Sequence, residues 1–387
     1  MHNKLKQVGL VAASLSVLSL TVATPTFAAS DQHRNEERAV ASYQAMQKHF
    51  FQSSEKLYIE NYPHNGGNSY SYLWPLSQAT AATLDLAALS KGDNTYISDV
   101  SDRLQGIADY WNNTTTPPGY DSYVRPPLGQ GGDKFYDDND WIAQDLLKAY
   151  RLTGDNADLQ RVKQIFQLEV NGWDSNLTHP DPGGVFWTQA SWNHDRNTIS
   201  NAPTAMVGLD LYQLTGDRYY FDWAKKMYDW VNQYMLAPNG LYWDHVDLQG
   251  NVNKTQWSYN QGTMIGASLL FFKATGDPSY LQRAEDIAKK ALAFYGQARL
   301  YNQPDFFNAI FFENLLTLEK VDHNPAYRQA IQTYADEMWN TVRDPNTGLF
   351  QMDPSQETPL LQQAAMVEIY ADLASVLPHQ SDKNVQK

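Results

Sequence analysis

Along the chain, apolar side chains recur every three or four residues in twelve separate stretches, and no run of single alternation is long enough to make a strand. The period predicts helices over 32–52, 74–90, 94–112, 138–152, 156–171, 198–214, 218–236, 258–275, 279–297, 305–320, 325–341 and 360–377. A short motif punctuates them: Lys91-Gly92-Asp93, Thr153-Gly154-Asp155, Thr215-Gly216-Asp217 and Thr275-Gly276-Asp277, the glycines 62, 62 and 60 residues apart. Glycine suits the end of one helix and aspartate the start of the next, so each copy reads as a tight helix–helix turn. Asp322-His323-Asn324 is a fifth, glycine-less copy. A two-helix repeat of this length stacks hairpins. Twelve helices as six hairpins is the count of an (α/α)6 barrel, all-α, with an inner ring wrapped by an outer one. An open solenoid is the alternative, and one domain over 29–387 is the simpler reading.

Connection lengths are asymmetric. The Gly-Asp turns take a few residues, whereas 113–137, 172–197, 237–257 and 342–359 are long and dense in Trp, Tyr, Asp, Asn and Gly. Long ordered loops usually carry function. All of these would emerge at one end of the barrel, at the N-termini of the inner helices.

Composition narrows the chemistry. The chain has 43 acidic and 29 basic residues, a net charge of −14, which argues against nucleic acid as a partner. With no cysteine there is no disulfide framework, thiolate nucleophile or Cys-ligated metal. The first 28 residues read as a signal peptide: Lys4 and Lys6, an uncharged run from Val8 to Ala23, and small residues that place cleavage between Ala28 and Ala29. The expectation is an exported monomer with no membrane segment after cleavage. The abundance of Trp and Tyr around acids and amides suits a polysaccharide or oligosaccharide substrate, since rings stack on sugar faces and polar groups meet hydroxyls.

Glycosidic cleavage needs two carboxyl groups, and Tyr136-Asp137-Asp138-Asn139-Asp140-Trp141 offers adjacent acids where a long loop enters an inner helix. The helix dipole favours ionisation of one, and like-charge repulsion keeps the other protonated. N-capping is the plainer role and needs a single Asp. Three other stretches face the same end: Gly183-Gly184-Val185-Phe186-Trp187, Arg196-Asn197-Thr198-Ile199-Ser200-Asn201 and Trp257-Ser258-Tyr259-Asn260-Gln261-Gly262. The paired glycines would let backbone approach a ligand. Histidines are scattered without metal-site spacing, so neither metal nor cofactor is expected.

Together these four stretches, in this order, resemble glycoside hydrolase family 76, the α-1,6-mannanases and related fungal cell-wall enzymes. The similarity runs from about residue 35 to 375. It implies an (α/α)6 barrel, no metal, and retention through a covalent mannosyl-enzyme with Asp137 as nucleophile and Asp138 as general acid/base. Spacing by itself leaves retention and inversion open, because the outcome depends on carboxyl separation. The chain departs from the family at Arg196, where the family carries lysine, and in loop 237–257, which has no match. The resulting expectation is an endo-acting α-1,6-mannanase whose sugar contacts come from Tyr136, Trp141, Trp187, Arg196, Asn197, Asn201, Trp257, Tyr259 and Asn260. Other readings are an unsaturated-uronide hydrolase, in which Arg125 and Arg196 would clamp a carboxylate, a cell-surface transglycosylase, or a non-catalytic sugar binder.

Overall fold

The structure is a computed structural model that describes residues 25–89, 94–353 and 355–375. Most of the predicted leader and the first Gly-Asp turn lie outside the described residues. Six inner helices form a closed ring, each packed on the next: α2 (Leu73–Leu89), α4 (Tyr136–Thr153), α6 (Thr198–Thr215), α8 (Ser258–Thr275), α10 (Asp305–Asp322) and α12 (Leu360–Ser375). Outside them lie α1 (Pro25–Phe50), α3 (Asn94–Ala108), α5 (Asn156–Asn171), α7 (Arg218–Trp230), α9 (Pro278–Leu300) and α11 (Ala326–Glu337). The architecture is an (α/α)6 barrel. Five inner–outer pairs are consecutive hairpins; the sixth joins α12 to α1, from opposite ends of the chain.

Burial separates the two rings. The inner helices bury most of their sides, polar residues included, and α8 buries nearly every residue from Ser258 round to Phe271. Gly262 lets α8 and α10 touch, because a Cβ there would lie 2.6 Å from the Phe311 Cα. Outer helices keep a single apolar stripe, as in α7, where Ala224, Met227, Tyr228 and Trp230 are buried.

The Gly-Asp turns fold as their chemistry requires. Gly154, Gly216 and Gly276 take left-handed backbone (φ 74°, 72° and 71°), and Asp155, Asp217 and Asp277 each accept a backbone N–H two residues on at 2.9 Å. Each such cap gives an otherwise unpartnered N–H of the helix start its acceptor. In the fifth copy His323 takes the left-handed position (φ 59°), and Asn324 accepts from the Ala326 N–H. α7 and α11 widen into π-helical turns over Val231–Met235 and Met338–Val342, where the sequence period runs on as plain helix.

At the opposite end the long connections pair with one another in ladders of two or three residues. Asp195–Asn197, His245–Asp247 and Val252–Asn253 make one antiparallel sheet, and Asn61–Tyr62 pairs with Thr358–Pro359. An amide in the fourth position of five inner helices pins the entering loop. Asn139 donates to the Phe135 and Tyr120 carbonyls and accepts the Tyr120 N–H. Asn201 does the same for Asn197 and Val185, and Gln261 for Trp257 and Tyr242. Gln363 holds Phe350 and Ser42, and Asn308 holds Leu300. Each pin gives buried backbone groups partners that no strand supplies.

Candidate active site

The pinned loops surround a bowl at the N-termini of the inner helices. Its floor is a small apolar cluster, separate from the main core: Trp141 of α4, Ile199 of α6, Tyr259 of α8 and Ile310 of α10, with Trp74, Trp257 and Phe307 packed against it. Phe307 organises the aromatic wall. It stacks on Tyr259 at 3.8 Å and 22°, meets Trp257 edge-on at 5.4 Å, and lies 5.9 Å from the Trp74 ring. Trp74, Trp257 and Phe307 remain partly exposed, so they offer rings to the bowl.

Asp137 and Asp138 stand in the first turn of α4, both partly exposed. No side chain caps this helix: Phe135 holds the cap position in extended conformation, so neither aspartate performs the capping role. Their surroundings differ. Burial pushes the Asp137 carboxyl up to about 7, against the pull of the Trp187 side chain and of the backbone N–H groups of Asp137 and Asp138, which hydrogen-bond its charged form. Its Oδ1 has no partner. Asp138 is held well above the carboxylate range by burial first, then by the neighbouring Asp137 and Glu60 charges, and none of the groups acting on it favours ionisation. One carboxyl is therefore ready to ionise near neutrality while its neighbour keeps its proton.

Behind Asp137 lies a buried acidic chamber. Asp140 accepts the Thr204 hydroxyl at 2.6 Å, Glu169 is fully buried, and burial raises both well above their ordinary values. Across the bowl Asp244 acts on both Asp137 and Tyr259 electrostatically. Its carboxylate accepts from Asn260 Nδ2 (3.3 Å) and faces His245 Nδ1 (2.9 Å), and that contact raises the imidazole pKa.

The residues anticipated from the sequence separate into two groups. Trp141, Trp187, Trp257, Tyr259 and Asn260 gather around the aspartate pair. Tyr136, Arg196, Asn197 and Asn201 are buried, and Arg196 and Asn201 bond to the protein itself. Tyr136 turns its ring under Gly172 toward Glu169. Arg196 is fully buried, spent on Asp174 and on the carbonyls of Pro180, Asp181, Gly183 and Asp247. Asn201 is the loop pin, and Asn197 is buried in the ladder beside His245. Gly183 and Gly184 make room for indoles, not for a ligand: a Cβ would strike Trp173 at one and Trp230 at the other. Phe307, Asp244 and Glu60 were missed. A di-aromatic Phe306-Phe307 opening an inner helix is a visible signal, but the connection before it is short. Among the described residues no group of three or more His, Asp or Glu side chains is arranged to hold a metal ion, and no helix is long and apolar enough to cross a membrane.

The profile of glycosyl hydrolase family 76 matches residues 34–382. A mannan endo-1,6-α-mannosidase of Candida glabrata is 32% identical over 152 residues, 37% of this chain and 33% of that relative. One from Saccharomyces cerevisiae is 28% identical over 152 residues with the same coverage. The match thus spans about a third of the length of these curated relatives. A family 76 glycoside hydrolase from a bovine Bacteroides thetaiotaomicron strain has a TM-score of 0.79 at 26% identity, covering 88% of this chain and 77% of that one. An α-1,6-mannanase of a Salegentibacter species has a TM-score of 0.73 at 21% identity, over 88% of this chain and 99% of that one; it was solved with α-1,6-mannotriose as an inactive variant in which two consecutive aspartates are asparagines.

Proposed function

Because the chain belongs to glycosyl hydrolase family 76, we propose that it is an endo-acting α-1,6-mannanase that cleaves mannan backbones with Asp137 and Asp138. The observation that carries the reading is the unequal pair at the floor of an aromatic bowl. Asp137, with N–H donors on its charged form, attacks the anomeric carbon. Asp138, held protonated, gives its proton to the departing glycosidic oxygen, and the C–O bond breaks as the Asp137 ester forms. Asp138, now a carboxylate, takes a proton from water, whose oxygen attacks the same carbon and releases Asp137 with the configuration retained. Trp187 and Trp257 hold the sugars beside the pair, with Trp141 and Tyr259 beneath them and Asn260 fixing Asp244.

A neutral substrate is favoured over a uronide. The two basic residues that could clamp a carboxylate are occupied, Arg196 as above and Arg125 by Asp121 and the Trp111 carbonyl. The reading includes export. Side-chain contacts from α1 to the rest of the fold, such as Gln32 to the Ala374 carbonyl and Asn35 to Gln332, lie beyond the Ala28–Ala29 bond, so cleavage there would spare them. N-terminal sequencing of the exported protein checks it.

The deciding experiment is product analysis on yeast α-1,6-mannan with nuclear magnetic resonance of the first-formed anomer. Wild type should release α-configured oligomannosides, and Asp137→Asn and Asp138→Asn should each lose several orders of magnitude in kcat. Wild-type turnover in either variant, or a β-configured first product, overturns the reading.

A further inference from the structure

Opposite the bowl, at the end where the Gly-Asp turns lie, the inner ring opens into a second space that the reaction does not use. Two adjoining cavities occupy it, one of 380 Å³ between α4, α6, α8 and α10 and one of 490 Å³ between α2, α10 and α12; Glu313 and Thr317 line both. Helix register builds them. Counted from the start of each inner helix, the ninth, thirteenth and sixteenth positions share one face, because they are spaced by four and three residues. In α4, α6, α8 and α10 all three positions line the cavities, so this is the face that looks onto the barrel axis. The bowl floor of Trp141, Ile199, Tyr259 and Ile310 comes from the first six positions and lies between this space and the aspartate pair.

On the axial face carboxyls outnumber cations. Lys148, thirteenth in α4, reaches Asp85 of α2 at 3.0 Å and Glu313 of α10 at 2.8 Å. Its ammonium shows what the space accepts: N–H donors held between carboxylates from different helices. In α12 the ninth and thirteenth positions are Glu368 and Asp372, and neither forms an ion pair among the described residues. Asp372 lines the larger cavity. Glu368 lies one turn deeper on the same face, is 7% exposed, and its Oε1 has no hydrogen-bond partner. Lys320, one turn nearer the opening, is the other lysine on this side, so four carboxyls face two ammonium groups. Burial holds Glu368 and Asp372 well above the ordinary carboxylate range, and the Asp85 and Glu313 charges add to it against the pull of Lys148.

The fit is to a cation that donates hydrogen bonds. A bare metal ion needs several carboxylates converging on one point, and no such group exists among the described residues. An ammonium group needs acceptors spread around it, which Glu368 and Asp372 supply from α12 and Asp85 from α2. We infer that the foot of the barrel is a binding site for a small primary amine, whose ammonium group enters the larger cavity and is held by Glu368 and Asp372 as the Lys148 ammonium is held by Asp85 and Glu313. A diamine matches the excess of carboxyls. Because α12 closes the ring against α2 and α1, an occupant held between α12 and Asp85 fastens that seam.

The test is calorimetric titration of 1,4-diaminobutane into wild type and Glu368→Gln/Asp372→Asn at pH 8, with melting temperatures alongside. Wild type should bind one equivalent and melt at a higher temperature as amine is added. The double variant keeps the shape and loses both charges, and should bind about tenfold or more weakly. If it does not fold, Asp372→Asn alone, on the cavity wall, carries the comparison with the same direction of loss. The hexamethylated dication of the same chain keeps the charge without any N–H and should not bind. Mannohexaose cleavage should run at an unchanged rate with the amine bound, because the bowl floor separates the two spaces. No binding to wild type, equal binding to the variants, or equal binding of the hexamethylated dication overturns the inference. So does competitive inhibition of cleavage, which would place the amine beside Asp137. The titration needs no turnover, so it decides the site whether or not the reaction reading holds.

Discussion

Trp187→Phe probes the feature that distinguishes the two aspartates. It keeps a ring beside Phe135 and Trp192, whose centroids lie 5.0 and 6.1 Å from that of Trp187, and deletes the indole N–H that supports the Asp137 charge. A hydrogen bond to a charged group contributes about 1.5–3 kcal/mol, and one pKa unit corresponds to about 1.4 kcal/mol. Asp137, already pushed up to about 7 by burial, should rise by about one to two units. At pH 7 its ionised fraction then drops from about a half to between about a tenth and a hundredth, lowering kcat/KM about five- to fifty-fold. The loss should shrink as pH rises, because a nucleophile with a higher pKa still ionises eventually. Because the two carboxyls titrate as a pair, the limbs of the profile belong to both, and the displacement of the acid limb is the quantity to read. The assay is kcat/KM on α-1,6-mannotetraose from pH 4 to 10. An acid limb that stays in place, with the rate lowered equally at every pH, would show that Trp187 is only a sugar platform and refute the electrostatic argument.

Asp137→Asn should raise the melting temperature at pH 7.5 and leave it nearly unchanged at pH 4. Between its ordinary value near 4 and its folded value of about 7, the folded state keeps a proton the unfolded chain has released, so stability falls as pH rises through that window, and the amide escapes the penalty. Asn201→Ala leaves the Val185 N–H without a partner inside the protein and takes one donor from the Asn197 carbonyl; it should cost about 1–3 kcal/mol by chemical denaturation, with KM per folded molecule unchanged. Trp257→Ala should weaken oligomannoside binding at much less than the roughly 3–5 kcal/mol that truncating a core aromatic costs, as titration and calorimetry together will show. Trp230→Ala should lose both stability and affinity, because its indole fills the space under Gly184 and donates to the Asp181 carbonyl in the loop that carries Trp187.

The barrel was legible because its punctuation is local chemistry. Gly154, Gly216 and Gly276 each need left-handed backbone and Asp155, Asp217 and Asp277 each cap the next helix, so four residues suffice to recognise a turn and the regular spacing supplies the rest. The pairing of α1 with α12 is not local, and no nearby residue announces it. The site was half legible. Aromatics and acids at loop–helix junctions do mark the bowl, but Asn201 and Arg196 look the same in sequence whether they meet a sugar or a carbonyl. The distinguishing sign lay in register: Asn139, Asn201 and Gln261 all occupy the fourth position of an inner helix, 62 and 60 residues apart, in step with the Gly-Asp turns. A residue that repeats with the scaffold serves the scaffold. Asp137-Asp138 has no counterpart at the starts of α6, α8 or α12, and that break in the repeat singles it out.

The same contrast explains why the cluster of Asp137, Asp138, Asp140 and Glu169 is held to a single negative charge. Asp137, Asp138, Asp140 and Glu169 crowd together, and no lysine or arginine is among the groups that act on their ionisation. With several carboxyls in a desolvated space and no cation to share, each ionisation raises the cost of the next. The first proton must therefore leave from the group whose anion has the most donors, which is Asp137 with the Trp187 side chain and two backbone N–H groups at the positive end of α4. Once it is charged, Asp138 and Asp140 are held protonated by the same field. A lone anion beneath an anomeric carbon that gains positive character, with a neutral acid beside it, is the arrangement glycosidic cleavage requires. A cation introduced next to Asp138 would release a second charge and remove the proton the leaving group needs, which is why an acidic cluster without a basic partner serves this chemistry better than a paired one.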